Sequence, residues 1–178
     1  MTIPSQLPEE FFQIVYGNEN SIFEQPNSIG HCISADAQMS KGFAQFLSER
    51  VPRLRRTCRR AKLLKDQVFP FWDSSSRRYI YKLVTKEKFS DKPDLQTLAT
   101  TLQNMQAHAT MHGISTIAIP KIGCGLDQLN WPDVVNLLRN IFAYSDIQIV
   151  VYSLDQHAIH AMSAEGDPEL YAEDELDR

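Results

Sequence analysis

Apolar and polar positions along this chain change their period several times. Residues 11–16 (FFQIVY) and 28–33 (SIGHCI) are short apolar runs of strand length. Residues 40–64 read as helix with a break at Pro52. Residues 68–71 and 78–85 read as strands again, the second alternating and rich in β-branched and aromatic side chains. In 93–111 the period lengthens: Leu95, Leu98, Leu102, Met105 and Ala109 share one helical face, and Gly113 stands where a C-terminal cap belongs. Residues 115–119 (STIAI) are almost continuously apolar, as in a strand buried on both faces. A second clear helix is expected at 131–144, with Asn130 as N-cap and Pro132 in its first turn, and a last strand at 147–154. There is no internal repeat. Strands alternating with helices predict an α/β domain whose largely parallel or mixed sheet is covered on both faces.

Composition narrows the class. The chain has 178 residues, 43% hydrophobic and 22% charged, which suits one domain with a real core. No apolar run approaches the roughly 20 residues of a membrane helix. Residues 1–10 hold neither a basic cluster nor an apolar stretch, so they do not read as a secretory signal. Cys32, Cys58 and Cys124 are odd in number and match no disulfide or zinc spacing, which points to reduced thiols in the cytosol or nucleus. The net charge of −4 hides an asymmetry: residues 1–154 carry +3 and residues 155–178 carry −7. The expected organisation is a domain over 1–154 and an acidic, flexible extension over 155–178.

The most informative stretch is 117–127, IAIPKIGCGLD. A buried strand ends at Pro120, a loop with Gly123 and Gly125 follows, and a helix begins after Asn130. Such loops at the carboxyl ends of strands carry ligands in open α/β sheets, and turned-in N–H groups beside a helix N-terminus suit phosphate. A tight turn with no ligand fits the two glycines as well. Asp127 reads either as a reactive carboxylate at the loop edge or as an exposed or capping residue. Lys86 follows a strand; it is a nucleophile only if its proton affinity is lowered, and is otherwise solvated. His31 and Cys32 read as packed core residues without a catalytic role. The basic run Arg50, Arg53, Arg55, Arg56, Arg59, Arg60, Lys62, Lys65 is either a solvated helix face or a polyanion contact, and no aromatic residues interleave with it.

Several segments, in order, resemble the macrodomain family and within it the terminal ADP-ribose protein glycohydrolases. They are His31-Cys-Ile-Ser34, MSKGFA at 39–44, Arg78-Tyr-Ile-Tyr81 running to Thr85-Lys86 and Lys92-Pro93, Pro120-Lys-Ile-Gly-Cys-Gly-Leu-Asp127, and Val151-Tyr-Ser-Leu154. IGCGLD before the helix that starts at Trp131 is the most specific. The resemblance implies a three-layer α/β/α sandwich with a mixed central sheet, holding ADP-ribose with its diphosphate and distal ribose over the 121–127 loop. It implies Lys86 as a nucleophile toward the anomeric carbon and Asp127 as its acid/base partner. It further implies ligand contacts at Asn18, Ser34 (to ribose or phosphate), Gly42, Lys121, Ile122, Gly123, Cys124, Gly125, Leu126 and Leu154.

The implied activity is hydrolysis of mono-ADP-ribose from glutamate or aspartate esters on proteins, extending to O-acetyl-ADP-ribose, with no metal or cofactor. The alternative is a reader that binds ADP-ribose without chemistry. The implied partners are ADP-ribose and mono-ADP-ribosylated proteins, with a weak polyanion contact through Arg50 to Lys65. A monomer in the nucleus or cytoplasm is expected. Two departures from the family pattern stand out. Gly17-Asn18 replaces Gly-Asp, with one residue inserted before Phe23, and Ser40 and Lys41 interrupt a more glycine-rich string. Asn18 can still accept from an adenine amino group, but without charge assistance.

Overall fold

The computed structural model describes residues 12–16, 19–40, 42–122 and 129–153. Among these residues the strands are β1 (Phe12–Tyr16), β2 (Ser28–Ser34), β3 (Val68–Asp73), β4 (Arg78–Lys86), β5 (Thr116–Pro120) and β6 (Gln148–Ser153). The helices are α1 (Gly42–Arg50), α2 (Pro52–Arg60), α3 (Leu95–Met111) and α4 (Trp131–Phe142), and a 3-10 turn spans Glu19–Glu24.

Backbone chemistry sets the helix ends. The expected helix over 40–64 is two helices: Pro52 opens α2 and Val51 separates the two. It begins only at Gly42 because Ala37 and Met39 hold left-handed φ angles of 50° and 47°, and it ends before Lys62 at φ 51°. Asp94 caps α3 by accepting from the Thr97 N–H at 2.7 Å, and Gly113 follows its end at φ 67°. Asn130 caps α4, accepting from the Asp133 N–H at 3.3 Å. That helix stops at Phe142, not 144, because the Ser145 N–H and hydroxyl both bond the Phe142 carbonyl.

The sheet runs β1-β6-β5-β2-β4-β3, with β3 antiparallel to β4 and every other pairing parallel. Alternation buries both faces. Tyr81, Leu83, Ile117, Ile119, Ile149 and Val151 pack under α3 and α4. Ile29, Ile33, Ile80, Val84, Ala118 and Val150 pack under α1, α2 and Ile22 of the 3-10 turn. The result is the expected three-layer α/β/α sandwich around a mixed sheet. Gly30 is closely packed: a Cβ there would lie 3.0 Å from Met105 Sδ and 3.3 Å from Ile119 Cγ2, so those side chains would have to shift to admit it.

Arg78 ties the 3-10 turn to the sheet. Its guanidinium is buried, donates to the carbonyls of Phe23, Gln25 and Asn27 at 2.9, 2.5 and 3.2 Å, and lies 4.7 Å from the Phe23 ring centroid. The segment carrying the inserted residue is thereby fixed. No described helix is long and apolar enough to cross a membrane.

Candidate functional site

A crevice follows from the topology. The chain leaves β2 toward α1 on one face, and leaves the neighbouring β5 toward α4 on the other. Adjacent parallel strands whose loops depart to opposite faces form a topological switch point, where open α/β sheets bind ligands. Here the two strands pair only at Ser28–Ile117 and Ile29–Ala118, so the ladder stops five residues short of the end of β2.

On the other side of β2 the sheet stays closed. A bulge between Ile33 and Ser34 brings Ser34 opposite Lys86 instead of Thr85. Pairing then continues past both strands, with the Ala35 N–H on the Lys86 carbonyl at 2.8 Å and the Asp36 N–H on the Glu87 carbonyl at 3.1 Å. The turn after Lys86 is held by carboxylates. Asp36 Oδ2 accepts from the Phe89 N–H at 3.2 Å and Asp91 Oδ2 from the Lys88 N–H at 3.0 Å. The other oxygen of Asp36 accepts the buried Ser34 hydroxyl at 2.5 Å.

Ser34 and Lys86 are therefore neighbours at the C-terminal ends of β2 and β4. Ser34 is buried and Lys86 half-buried. Across the crevice, Lys121 and Ile122 follow the end of β5. Ile122 is buried in the core under α4, and the Lys121 ammonium lies 5.8 Å from the ring centroid of Trp131, the first residue of α4. Gly42 opens α1 at φ 60°, with nothing within 4 Å of where a Cβ would stand. Its glycine serves the backbone angle and leaves open space above it. Asn18, Gly123, Cys124, Gly125, Leu126, Asp127 and Leu154 lie outside the described residues.

Two polar groups behind the site are buried without a hydrogen-bond partner among the described residues: the Thr85 hydroxyl, one residue before Lys86, and the Trp131 indole N–H. Among those residues no group of three His, Cys, Asp or Glu side chains could hold a metal ion.

The basic run has a clear disposition. Arg53, Arg56, Arg59 and Arg60 point outward on α2, while Arg50 lies 5.0 Å from the Phe46 ring centroid and 5.9 Å from that of Phe23.

Sequence reasoning missed Asp36 and Lys82. Asp36 had a local signal, since Ser-X-Asp spacing lets a hydroxyl reach a carboxylate two residues on. Lys82 shares the parity of the core residues Ile80 and Val84 and is fully buried. Its amine meets the imidazole of His31, the residue directly opposite on β2. Burial pushes the Lys82 amine down to about 7 and His31 well below its ordinary value, and it raises the Cys58 thiol. His31 also packs edge-on against Phe43 at 5.6 Å, so it is a core residue as expected.

Residues 30–138 match the Macro domain family model. The chain is 34% identical over 130 residues to the ADP-ribose glycohydrolase OARD1 of Bos taurus, an alignment spanning 73% of this chain and 84% of that protein. Among solved structures, the macrodomain of Thermus aquaticus DarG superposes with a TM-score of 0.71 at 20% identity, covering 80% of this chain and 97% of that one. Thermosipho africanus DarTG in complex with ADP-ribose superposes at 0.70 and 18% identity, covering 83% of this chain and 42% of that one. At such identities the two structures speak for the fold.

Proposed function

The chain belongs to the Macro domain family, and from that premise we propose that it binds ADP-ribose in the crevice between β2 and β5 and hydrolyses ADP-ribosyl esters of glutamate or aspartate on proteins. The observation that carries this reading is the switch-point crevice, with Ser34 and Lys86 adjacent on one side and Lys121 on the other. Its relatedness to an ADP-ribose glycohydrolase supports the choice of sugar nucleotide.

In this reading the diphosphate lies on the N–H groups of the 121–127 loop and the N-terminus of α4, and Asn18 accepts from the adenine. The Lys86 amine attacks the anomeric carbon of the distal ribose. The anomeric C–O bond breaks and the carboxylate leaves with the bonding pair. Asp127 takes the proton released by the amine and returns it to the lysine nitrogen as the C–N bond of the lysyl–sugar adduct breaks. Then, as a carboxylate, it takes a proton from the water that adds to the same carbon. O-acetyl-ADP-ribose is a smaller ester of the same sugar and fits the same pocket. The outward arginines of α2 add a weak contact to a polyanion. We place this activity in the nucleus or cytoplasm, and the protein acts as a monomer.

The test has two stages. Calorimetric titration with ADP-ribose should show saturable binding that Gly125→Val abolishes while the domain stays folded. Incubation with a glutamate-linked ADP-ribosylated peptide should then release ADP-ribose. Binding without release from any ester identifies a reader, and no binding at all refutes the placement.

A further inference from the structure

The Ser34 hydroxyl has one proton and two lone pairs. Its proton is donated to Asp36 Oδ1, and Asp36 is itself fixed, because its second oxygen accepts the Phe89 N–H and its own N–H bonds the Glu87 carbonyl. A carboxylate pinned in this way offers Ser34 no hydrogen, so the hydroxyl can present only lone pairs to anything else. An oxygen limited to accepting is repelled by phosphate oxygens and matched by a sugar hydroxyl.

We propose that Asp36 is a positioning residue that holds Ser34 as a committed acceptor, so that Ser34 reads a hydroxyl of the distal ribose and rejects phosphate. The inference rests on the ADP-ribose reading above. It selects the distal sugar because Ser34 stands opposite Lys86, the residue assigned there to that sugar's anomeric carbon. It also explains why one carboxylate bridges two segments 53 residues apart: the contact that fixes the proton of Ser34 fixes the turn that follows Lys86.

Asp36→Asn is the discriminating change, because it keeps the shape while replacing one acceptor oxygen with a donor and removing the charge. The comparison of ADP with ADP-ribose cancels the effect of that charge on the shared diphosphate. The Phe89 N–H needs an acceptor, so it holds the amide oxygen. The amide NH2 is then left facing Ser34, which must accept from it and turn its own proton outward.

Calorimetry should compare ADP-ribose with ADP, which lacks the distal ribose, on the wild-type chain, Asp36→Asn, Ser34→Ala and the double variant. Each single variant should weaken ADP-ribose about tenfold and leave ADP affinity unchanged. Adding Asp36→Asn to Ser34→Ala should cost nothing further. Asp36→Asn that binds ADP-ribose like wild type overturns the proposal. So does an equal loss for ADP and ADP-ribose with a lowered thermal midpoint, which marks Asp36 as a loop brace alone. A wild-type chain that binds ADP but gains nothing from the distal ribose also overturns it. If the wild type binds neither ligand, the ADP-ribose reading itself falls and takes this inference with it.

Discussion

Lys82 and His31 stand directly opposite each other on β4 and β2, and their side-chain nitrogens meet inside the core under α1 and α2. Lys82 is fully buried, and lack of solvation lowers its amine to about 7. The most perturbed groups in the described structure therefore serve the core and not the crevice.

A pH dependence of stability follows. The unfolded chain holds a proton on Lys82 up to about pH 10.5, whereas the folded chain releases it near 7. Between those values the unfolded state binds more protons, so stability rises with pH. His31, lowered from 6.5, extends the same trend to more acidic pH. Cys58, raised from 9.0, opposes it above pH 9. The thermal midpoint should climb from pH 6 to pH 9; a flat or falling profile contradicts the burial of the amine.

Lys82→Met should stabilise the domain at pH 7 by about 1–4 kcal/mol, since a thioether fills similar volume without a proton to give up. The same variant should flatten the pH profile between 7 and 9. Urea denaturation of the two proteins gives both numbers, and a destabilised Met variant would mean that the amine–imidazole contact outweighs its desolvation.

Arg78→Lys should cost about 2–4 kcal/mol despite keeping the charge. The planar guanidinium reaches three carbonyls of residues 23–27 at once, which a single ammonium cannot match. Chemical denaturation measures the loss, and amide exchange should show it concentrated around the Glu19–Glu24 turn.

Lys86→Ala should lose turnover by at least about 100-fold while largely keeping ADP-ribose affinity. Asp127→Ala should also lose turnover and accumulate a covalent sugar adduct on Lys86, visible by mass spectrometry of the intact protein. An active Lys86→Ala protein excludes the covalent route.

Truncation after Leu154 should leave the thermal midpoint within about 2 °C, because residues 155–178 carry −7 and few large apolar side chains. A large drop would mean that the acidic segment contributes to the folded domain.

Much of this protein is written in local chemistry. Asn130 and Gly113 mark helix ends because capping depends on one side chain or one backbone angle, and Pro52 divides α1 from α2 because its ring permits only a helix start. The nearly continuous apolar run at 115–119 announces a strand buried on both faces, and the apolar run at 147–154 announces a last strand. Lys86, Asp127 and the glycine loop stand out by motif.

Strand order was not legible, because pairing energy comes from whole faces packing against helices and not from any one strand's residues. So the switch point between β2 and β5 appears only once the sheet is assembled. The same holds for the burial of Lys82, whose dry surroundings, Cys58 of α2 among them, form only in the packed fold. It holds equally for Asp36, whose two oxygens serve Ser34, two residues away, and Phe89, 53 residues away. Short-range preferences decide which segments become helix or strand; only the packed fold decides which polar groups share a dry space, and the proposed site chemistry depends on that second decision.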